Sequence, residues 1–268
     1  MKGLDESTPT YGYNESKKLC KEPMNQLIKK YDLSNKKVFS LGPNFGHEEY
    51  WFYKNGCNLT FVDIDENKVI EKYLKTSSPS TDENSLSYFI GDASEYNRNY
   101  SECKYDVFYV SSFTPDELRR GKIQTRESTL FTRAINSLSY RLLRKRLLKT
   151  WRTVEPFMDL VLEMAQKNLK DRGLFIYQSY ACGVDLHVNP HYIKLVKTQL
   201  HAFGVILLKV YCLKAVPTVS LTIGFKGNEV DVPKYLKEIE NNKEITTFHG
   251  RHPDSKLGCE IVYEHKGH

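Results

Sequence analysis

The sequence predicts an α/β protein with a mostly parallel sheet that ends in an antiparallel hairpin. Short apolar runs typical of buried strands alternate with segments of helical periodicity over most of the chain. Two longer apolar runs follow, Val205 to Leu213 and Thr218 to Phe225, and only Lys214 to Pro217 separates them. Because so short a link cannot hold a crossover helix, these two strands must pair antiparallel.

Five further strands are predicted before the hairpin, each short and rich in apolar residues. They are Lys37 to Leu41, Asn58 to Ile64, Ser87 to Ile90, Asp106 to Ser111 and Leu174 to Tyr180. Helices are predicted in the intervening segments from their periodicity and their glycine or proline boundaries. They are a helix opened by Gly46 and ended by Gly56, Glu66 to Lys75, Pro156 to Gly173, and Asn189 to Gly204.

The chain divides into three predicted regions. Residues 1–35 form an arm and a helix that could act as a lid through Tyr11 and Tyr13, although a disordered tail is an equal alternative. The helix is expected from about Pro23 to Tyr31, because proline suits a first helical turn. Residues 36–227 form the α/β domain, with a basic helical insertion at 114–153, and residues 228–268 form a C-terminal extension.

Composition excludes several classes of protein. The 268 residues are 40% hydrophobic and 27% charged, which is enough apolar material for a buried core and argues against disorder. No apolar run is long enough to cross a bilayer, and Met1 to Thr10 lacks the apolar stretch of a secretory signal. The six cysteines are dispersed without a C-x-x-C pair, so we expect reduced thiols, no metal site and a cytoplasmic protein.

The positive charge is concentrated in one segment. Arg119 to Arg152 holds eleven basic residues and one acidic residue, a net charge of +10, whereas the whole chain carries +6. Three hypotheses stand beside one another for this segment: it binds nucleic acid, it lies on an anionic membrane, or it is a helical cap over the substrate pocket with a solvated outer face.

Three features fall where predicted strands end, and open α/β sheets bind ligands at that edge. The loop Leu41 to Gly46 carries two glycines, which let the backbone approach a ligand closely. Asp63 closes the second strand, where a carboxylate can accept the hydroxyls of a ribose. Asp92 follows the third strand and could accept a hydrogen bond from an adenine amino group. Each signal alone is weak, but their order and spacing point to one nucleoside-binding edge.

At these positions the chain resembles the class I S-adenosylmethionine-dependent methyltransferases. The segments that carry the resemblance are VFSLGPNFG from Val38, FVDID from Phe61, GDA from Gly91 and YDVFYVSS from Tyr105. The resemblance implies a Rossmann-like sheet of seven strands in the order 3-2-1-4-5-7-6, S-adenosyl-L-methionine as cofactor, and methyl transfer as activity. The cofactor-binding residues that it implies are Gly42, Asn44, Gly46, Asp63, Ile64, Asp92, Ala93 and Ser111.

Two positions depart from the family pattern. Ser40 stands where the family usually has an acid that helps to hold the methionine amino group, and Asn44 stands where it usually has a glycine. These departures concern the methionine end of the site and leave aminocarboxypropyl transfer open. A nicotinamide-binding enzyme is the rival hypothesis, but it would prefer G-x-G-x-x-G and would not explain the terminal hairpin.

The acceptor is expected beyond the fourth and fifth strands. Tyr180, Asp185 and His187 are the candidate catalytic residues there, with His187 as the general base because a free imidazole titrates near neutrality. A surface histidine preceding a helix is the plain alternative. We expect a small-molecule acceptor, with an anionic one as an option, since arginines of the basic segment could hold it. RNA methylation, or a methyltransferase fold that only binds a partner, remains the alternative function.

Overall fold

The computed structural model describes nine stretches of the chain. They are residues 13–43, 46–63, 86–100, 105–111, 158–180, 190–214, 219–239, 244–248 and 258–266. These stretches contain eight strands that form a single sheet. Numbered along the chain, the strands lie in the order 3-2-1-4-5-7-6-8. The predicted order of seven strands is therefore confirmed, and an eighth strand extends the sheet beyond the sixth.

Helices lie between the strands, although the helix at Ala93–Asn99 was not predicted. The predicted helix Glu66 to Lys75 lies outside the described stretches. The strands are β1 (Lys37–Leu41), β2 (Asn58–Asp63), β3 (Leu86–Ile90), β4 (Tyr105–Ser111), β5 (Leu169–Tyr180), β6 (Val205–Leu213), β7 (Val219–Lys226) and β8 (Cys259–Glu264). The helices are α1 (Tyr13–Lys30), α2 (Glu49–Lys54), α3 (Ala93–Asn99), α4 (158–168), α5 (Pro190–Ala202) and α6 (Val232–Ile239), with a 3-10 turn at Glu229–Asp231 before α6.

Strand β1 lies inside the sheet, with β2 and β4 parallel to it on either side. Strands β3 and β5 continue the parallel part outward, whereas β7 runs antiparallel to β5, β6 to β7, and β8 to β6. The predicted antiparallel hairpin is thus confirmed as β6 and β7. The parallel strands place their carboxyl ends along one edge, which positions the candidate site.

Both faces of the sheet are covered. One face packs against α1, α2 and α6 around residues such as Phe52, Tyr109 and Ile176. The other packs against α3, α4 and α5 around Phe39 and Phe108, whose rings stack with centroids 4.7 Å apart. The result is a three-layer α/β/α arrangement. Within the described stretches, no helix has the length and apolar character required to cross a membrane.

Helix α1 is longer than predicted. It begins at Tyr13, so the expected start near Pro23 is wrong and the proline lies inside the helix. An interior proline costs about 3 kcal/mol because it removes a hydrogen bond and crowds the preceding turn. The apolar stripe that crosses it, from Cys20 through Met24 to Leu27, is only 2% exposed. Burial of this stripe offsets the cost and keeps the helix continuous.

The helix before β5 ends earlier than predicted. Residue 168 is its last residue and β5 already begins at Leu169, so Gly173 does not cap the helix as expected. Instead the ladder between β4 and β5 shifts register nearby, and Arg172 takes a left-handed φ of 69°. A Cβ at Gly173 would lie 2.9 Å from the carbonyl oxygen of Lys170. The glycine is therefore required by an irregular strand.

Candidate functional site

The first three parallel strands end together, and backbone hydrogen bonds join their ends. The Gly42 amide donates to the Val62 carbonyl over 2.8 Å, and the Gly91 amide donates to the Asp63 carbonyl over 2.8 Å. Neighbouring strands lie about 4.8 Å apart. The glycine loop, Asp63 and the turn to Asp92 therefore form one continuous edge, as the sequence predicts.

The two glycines of the loop are needed for their backbone conformation. Gly42 has a φ of 63° and Gly46 a φ of 66°, values that cost an L-residue with a side chain about 1–2 kcal/mol. Pro43, between them, accepts a hydrogen bond from the Gly46 amide at 2.9 Å. The turn is thus tight, and it carries the chain from β1 directly to α2.

A buried carboxylate lies beside this loop. The Ser40 hydroxyl, on β1, donates a hydrogen bond of 2.7 Å to Oε1 of Glu49, on α2, and both residues are 0% exposed. Placing a carboxylate there is costly unless polar groups or cations surround it. Glu49 thus brings an acid to Ser40, the position at which the family resemblance leads one to expect an acid on the strand itself.

Glu49 was not among the site residues predicted from the sequence. His47, Glu48 and Glu49 follow the glycine loop directly, and all three are buried. Three consecutive titratable residues at the start of a helix would ordinarily be taken as solvent-exposed. Their burial depends on how α2 packs against the sheet, and a local pattern does not reveal that.

The two aspartates of the edge differ in their surroundings. Asp63 is the last residue of β2 and is half-buried. Asp92 is exposed and caps α3, with its Oδ1 accepting a hydrogen bond of 2.7 Å from the Ser94 amide and another from the Ser94 hydroxyl. These bonds lower the pKa of Asp92, so it is an anion at neutral pH. Ala93 begins α3 directly behind it.

Beyond β1, the same edge continues through the ends of β4 and β5. Ser111 is the last residue of β4 and pairs with Gln178 of β5, and Tyr180 is the last residue of β5. Ser111 and Tyr180 are thereby brought to the edge where the sequence places them. Gln178 was not singled out from the sequence, and its side chain is 1% exposed.

Several predicted residues lie outside the described stretches. They are Asn44, Ile64, Asp185, His187, Tyr11 and the basic segment Arg119 to Arg152. Their proposed roles remain predictions. In the part of the chain that the structure describes, no three His, Cys, Asp or Glu side chains gather as metal ligands.

Comparison with known proteins finds similarity in fold. No protein-family model matches the chain, and no curated protein matches its sequence. Among solved structures, a Methanococcus jannaschii fibrillarin pre-rRNA processing protein is 14% identical over 76% of this chain and 74% of its own, with a TM-score of 0.45.

Two further similar structures contain S-adenosylhomocysteine. The N-methyltransferase NodS from Bradyrhizobium japonicum is 11% identical over 77% of this chain and 86% of its own, with a TM-score of 0.45. The 1,6-didemethyltoxoflavin-N1-methyltransferase from Burkholderia thailandensis is 12% identical over 78% and 80%, with a TM-score of 0.47. Identities of this size concern the fold alone. The strand order of this chain is the one that the sequence resemblance implies, with one strand added at the edge.

Proposed function

We propose that the protein is an S-adenosylmethionine-dependent methyltransferase that acts on a small molecule. One observation carries the proposal: carboxylates stand at the ends of three neighbouring strands, Glu49 beside β1, Asp63 on β2 and Asp92 after β3. They lie along the edge where a doubly wound sheet binds its ligand.

The charge of this edge favours a cationic ligand over a dinucleotide. In a dinucleotide enzyme the pyrophosphate sits at the glycine loop, where backbone amides and a helix N-terminus receive it. Here the loop is followed by the buried acids Glu48 and Glu49. Negative side chains there would repel a pyrophosphate, whereas S-adenosylmethionine brings an ammonium and a sulfonium.

Each carboxylate matches a different part of the cofactor. Asp63 would accept hydrogen bonds from the ribose hydroxyls, and Asp92 would accept one from the adenine amino group. Glu49, held by Ser40, would accept the methionine ammonium, which replaces the acid expected at position 40. Gly42 and Gly46 would let the backbone pass close to the methionine part.

The cofactor supplies an activated methyl group when bound, so the protein's task is to align donor and acceptor and to exclude water. A general base is needed only if the acceptor is protonated, and His187 keeps that predicted role. A small molecule is the proposed acceptor. An RNA acceptor would use the basic segment Arg119 to Arg152 and would show affinity that falls steeply with salt.

Calorimetry with S-adenosylmethionine and S-adenosylhomocysteine tests the proposal. We predict that Asp63→Ala weakens binding of both by about 1–3 kcal/mol, because the ribose hydroxyls lose a half-buried acceptor. Asp171→Ala, an exposed aspartate on β5, is the matched control and should leave binding unchanged.

Two results would count against the proposal. Folded wild-type protein that binds neither compound at millimolar concentration would refute the cofactor assignment. Unaltered affinity in Asp63→Ala would retain the cofactor but show that the ribose lies elsewhere.

A further inference from the structure

Gln178 lies in the same row of the sheet as the glycine loop. Leu41 pairs with Val110, and Val110 pairs with Tyr177 on the next strand. One residue further toward the carboxyl edge, Ser111 pairs with Gln178. Gln178 is therefore level with Gly42 but two strands away, at about 10 Å. The three carboxylates stand at β1 to β3, so Gln178 lies on the opposite side of β1 from the proposed nucleoside.

The side chain of Gln178 is buried, with apolar neighbours on its own strand and on β7. It is 1% exposed, it pairs across the ladder with Leu221, and Ile176 lies on the same sheet face two residues earlier. Its amide nitrogen has no hydrogen-bond partner in the part of the chain that the structure describes. A buried amide without a partner lowers stability, so its presence requires a reason.

We propose that Gln178 positions the methyl acceptor by donating a hydrogen bond from its side-chain amide to a neutral polar group of that molecule. This inference rests on the proposed methyltransferase function. The position of Gln178 agrees with this role, because the acceptor must approach from the side of β1 that the nucleoside does not occupy. The chemistry fits a neutral group, since an uncharged amide with neighbours such as Leu221 and Ile176 could not compensate a buried charge.

Gln199 offers a matched control for the first test. It is also buried, at 9% exposed, but its amide donates to Asp159 over 2.8 Å. We predict that Gln178→Met raises the melting temperature by roughly 2–6 °C, because it removes an unsatisfied amide, whereas Gln199→Met lowers it. S-adenosylhomocysteine affinity should change by less than about twofold in Gln178→Met, since the residue does not contact the cofactor. A fall in melting temperature for Gln178→Met would overturn the proposal.

Three small molecules of similar shape test whether Gln178 binds a neutral polar group. They are acetamide, which is neutral, acetate, which is negative, and acetamidinium, which is positive. They are titrated into the complex with S-adenosylhomocysteine while NMR follows the side-chain amide of Gln178, assigned by its loss in Gln178→Met. Acetamide should shift these signals in a saturable way, and the charged probes should shift them at least fivefold less at equal concentration.

The outcomes separate the two levels of inference. If wild-type protein does not bind S-adenosylhomocysteine, the proposed function itself fails. If it binds, but acetamide leaves the Gln178 signals unmoved or acetate shifts them more, only the role of Gln178 fails.

Discussion

The Ser40–Glu49 pair and a second polar cluster lie on the same face of the sheet but hold their charges differently. We call the second the lysine cluster: Lys30 and Lys209, 3% and 2% exposed, both lie within 3.4 Å of Oε1 of Glu244. Lys209 also pairs with Glu264 at 2.8 Å. Each buried cation thus meets a carboxylate of the C-terminal segment, whereas Glu49 accepts a hydrogen bond from the neutral hydroxyl of Ser40.

This difference indicates that the lysine cluster links structural elements, whereas Glu49 is a candidate ligand-binding group. The lysine cluster joins α1 and β6 to the segment around Glu244, and the side chain of Gln26 joins the same segment by accepting a hydrogen bond from the Thr246 amide at 2.8 Å. In the lysine cluster, the positive charges of the two lysines are balanced by carboxylates of the same chain. The negative charge of Glu49 lies next to the glycine loop, where the proposed ligand brings a positive one. Substitutions should therefore affect stability at the lysine cluster and ligand affinity at Glu49.

The largest effect is expected from Glu244→Gln. We predict a loss of about 2–3 kcal/mol in the free energy of unfolding, because two buried lysines lose their shared carboxylate. The loss stays below the ~3–5 kcal/mol of fully buried pairs because Glu244 is 48% exposed and partly screened. Urea denaturation measures it, and affinity for S-adenosylhomocysteine should be unchanged.

An exposed ion pair provides the control for this variant. Glu238 pairs with Arg172 on the surface, and Glu238→Gln should cost less than about 1 kcal/mol. Burial tends to raise the pKa of Glu244, but Lys30 and Lys209 outweigh it and hold that pKa below the usual range. The stabilisation is therefore present above the ordinary glutamate pKa and is lost as pH falls through the lowered value. Equal losses for both variants would show that the lysine cluster is not a structural link.

The next effect concerns affinity. We predict that Glu49→Gln weakens S-adenosylhomocysteine binding about tenfold to thirtyfold, or ~1.4–2 kcal/mol, because the ammonium loses its anion. Methylthioadenosine, which lacks the amino-acid part, should bind the variant as it binds the wild type. Calorimetry with both ligands separates the methionine end of the site from the nucleoside end.

Glu48→Gln is the neighbouring control, since Glu48 is also buried but the Ser40 hydroxyl bonds to Glu49. It should weaken binding less than Glu49→Gln does. If Glu49→Gln weakens both ligands equally, Glu49 supports the loop as a whole and does not bind the ammonium.

Much of the fold could be predicted because its signals are local. The bounds of β6 follow from an apolar run that only Lys209 interrupts, and the short link after Leu213 fixes its antiparallel pairing with β7. The start of α1 was mispredicted because Pro23 is a local signal for a helix start, whereas burial of the stripe around Met24 is a tertiary effect. The eighth strand was missed for the same reason, since β8 is half-exposed and pairs only at the sheet edge.

The residues of the candidate site likewise divide into those that local sequence signals predict and those that only tertiary contacts bring to the site. Gly42, Asp63 and Asp92 could be found because each lies at the end of a strand or within two residues of it in sequence. Glu49 could not be assigned to Ser40, because the contact depends on how α2 folds back over β1. Gln178 was missed because it lies inside a strand, and only the register with Ser111 brings it level with the glycine loop.

The smallest effect is expected at Asp92, a third kind of polar site in which an exposed carboxylate is held by its own turn. Asp92→Ala should cost about 1 kcal/mol of stability through loss of the helix cap, whereas Asp92→Asn should cost almost nothing because asparagine caps equally well.

The Ser94 hydrogen bonds lower the pKa of Asp92, so its charge stabilises the fold above the ordinary aspartate pKa. That stabilisation is lost as pH falls through the lowered value, and Asp92→Asn should lack this acid-side loss. Thermal unfolding between pH 3 and pH 7 measures both variants. If asparagine costs as much as alanine, the carboxylate charge matters more than the cap, and Asp92 belongs with Glu244 as a group whose charge supports the fold.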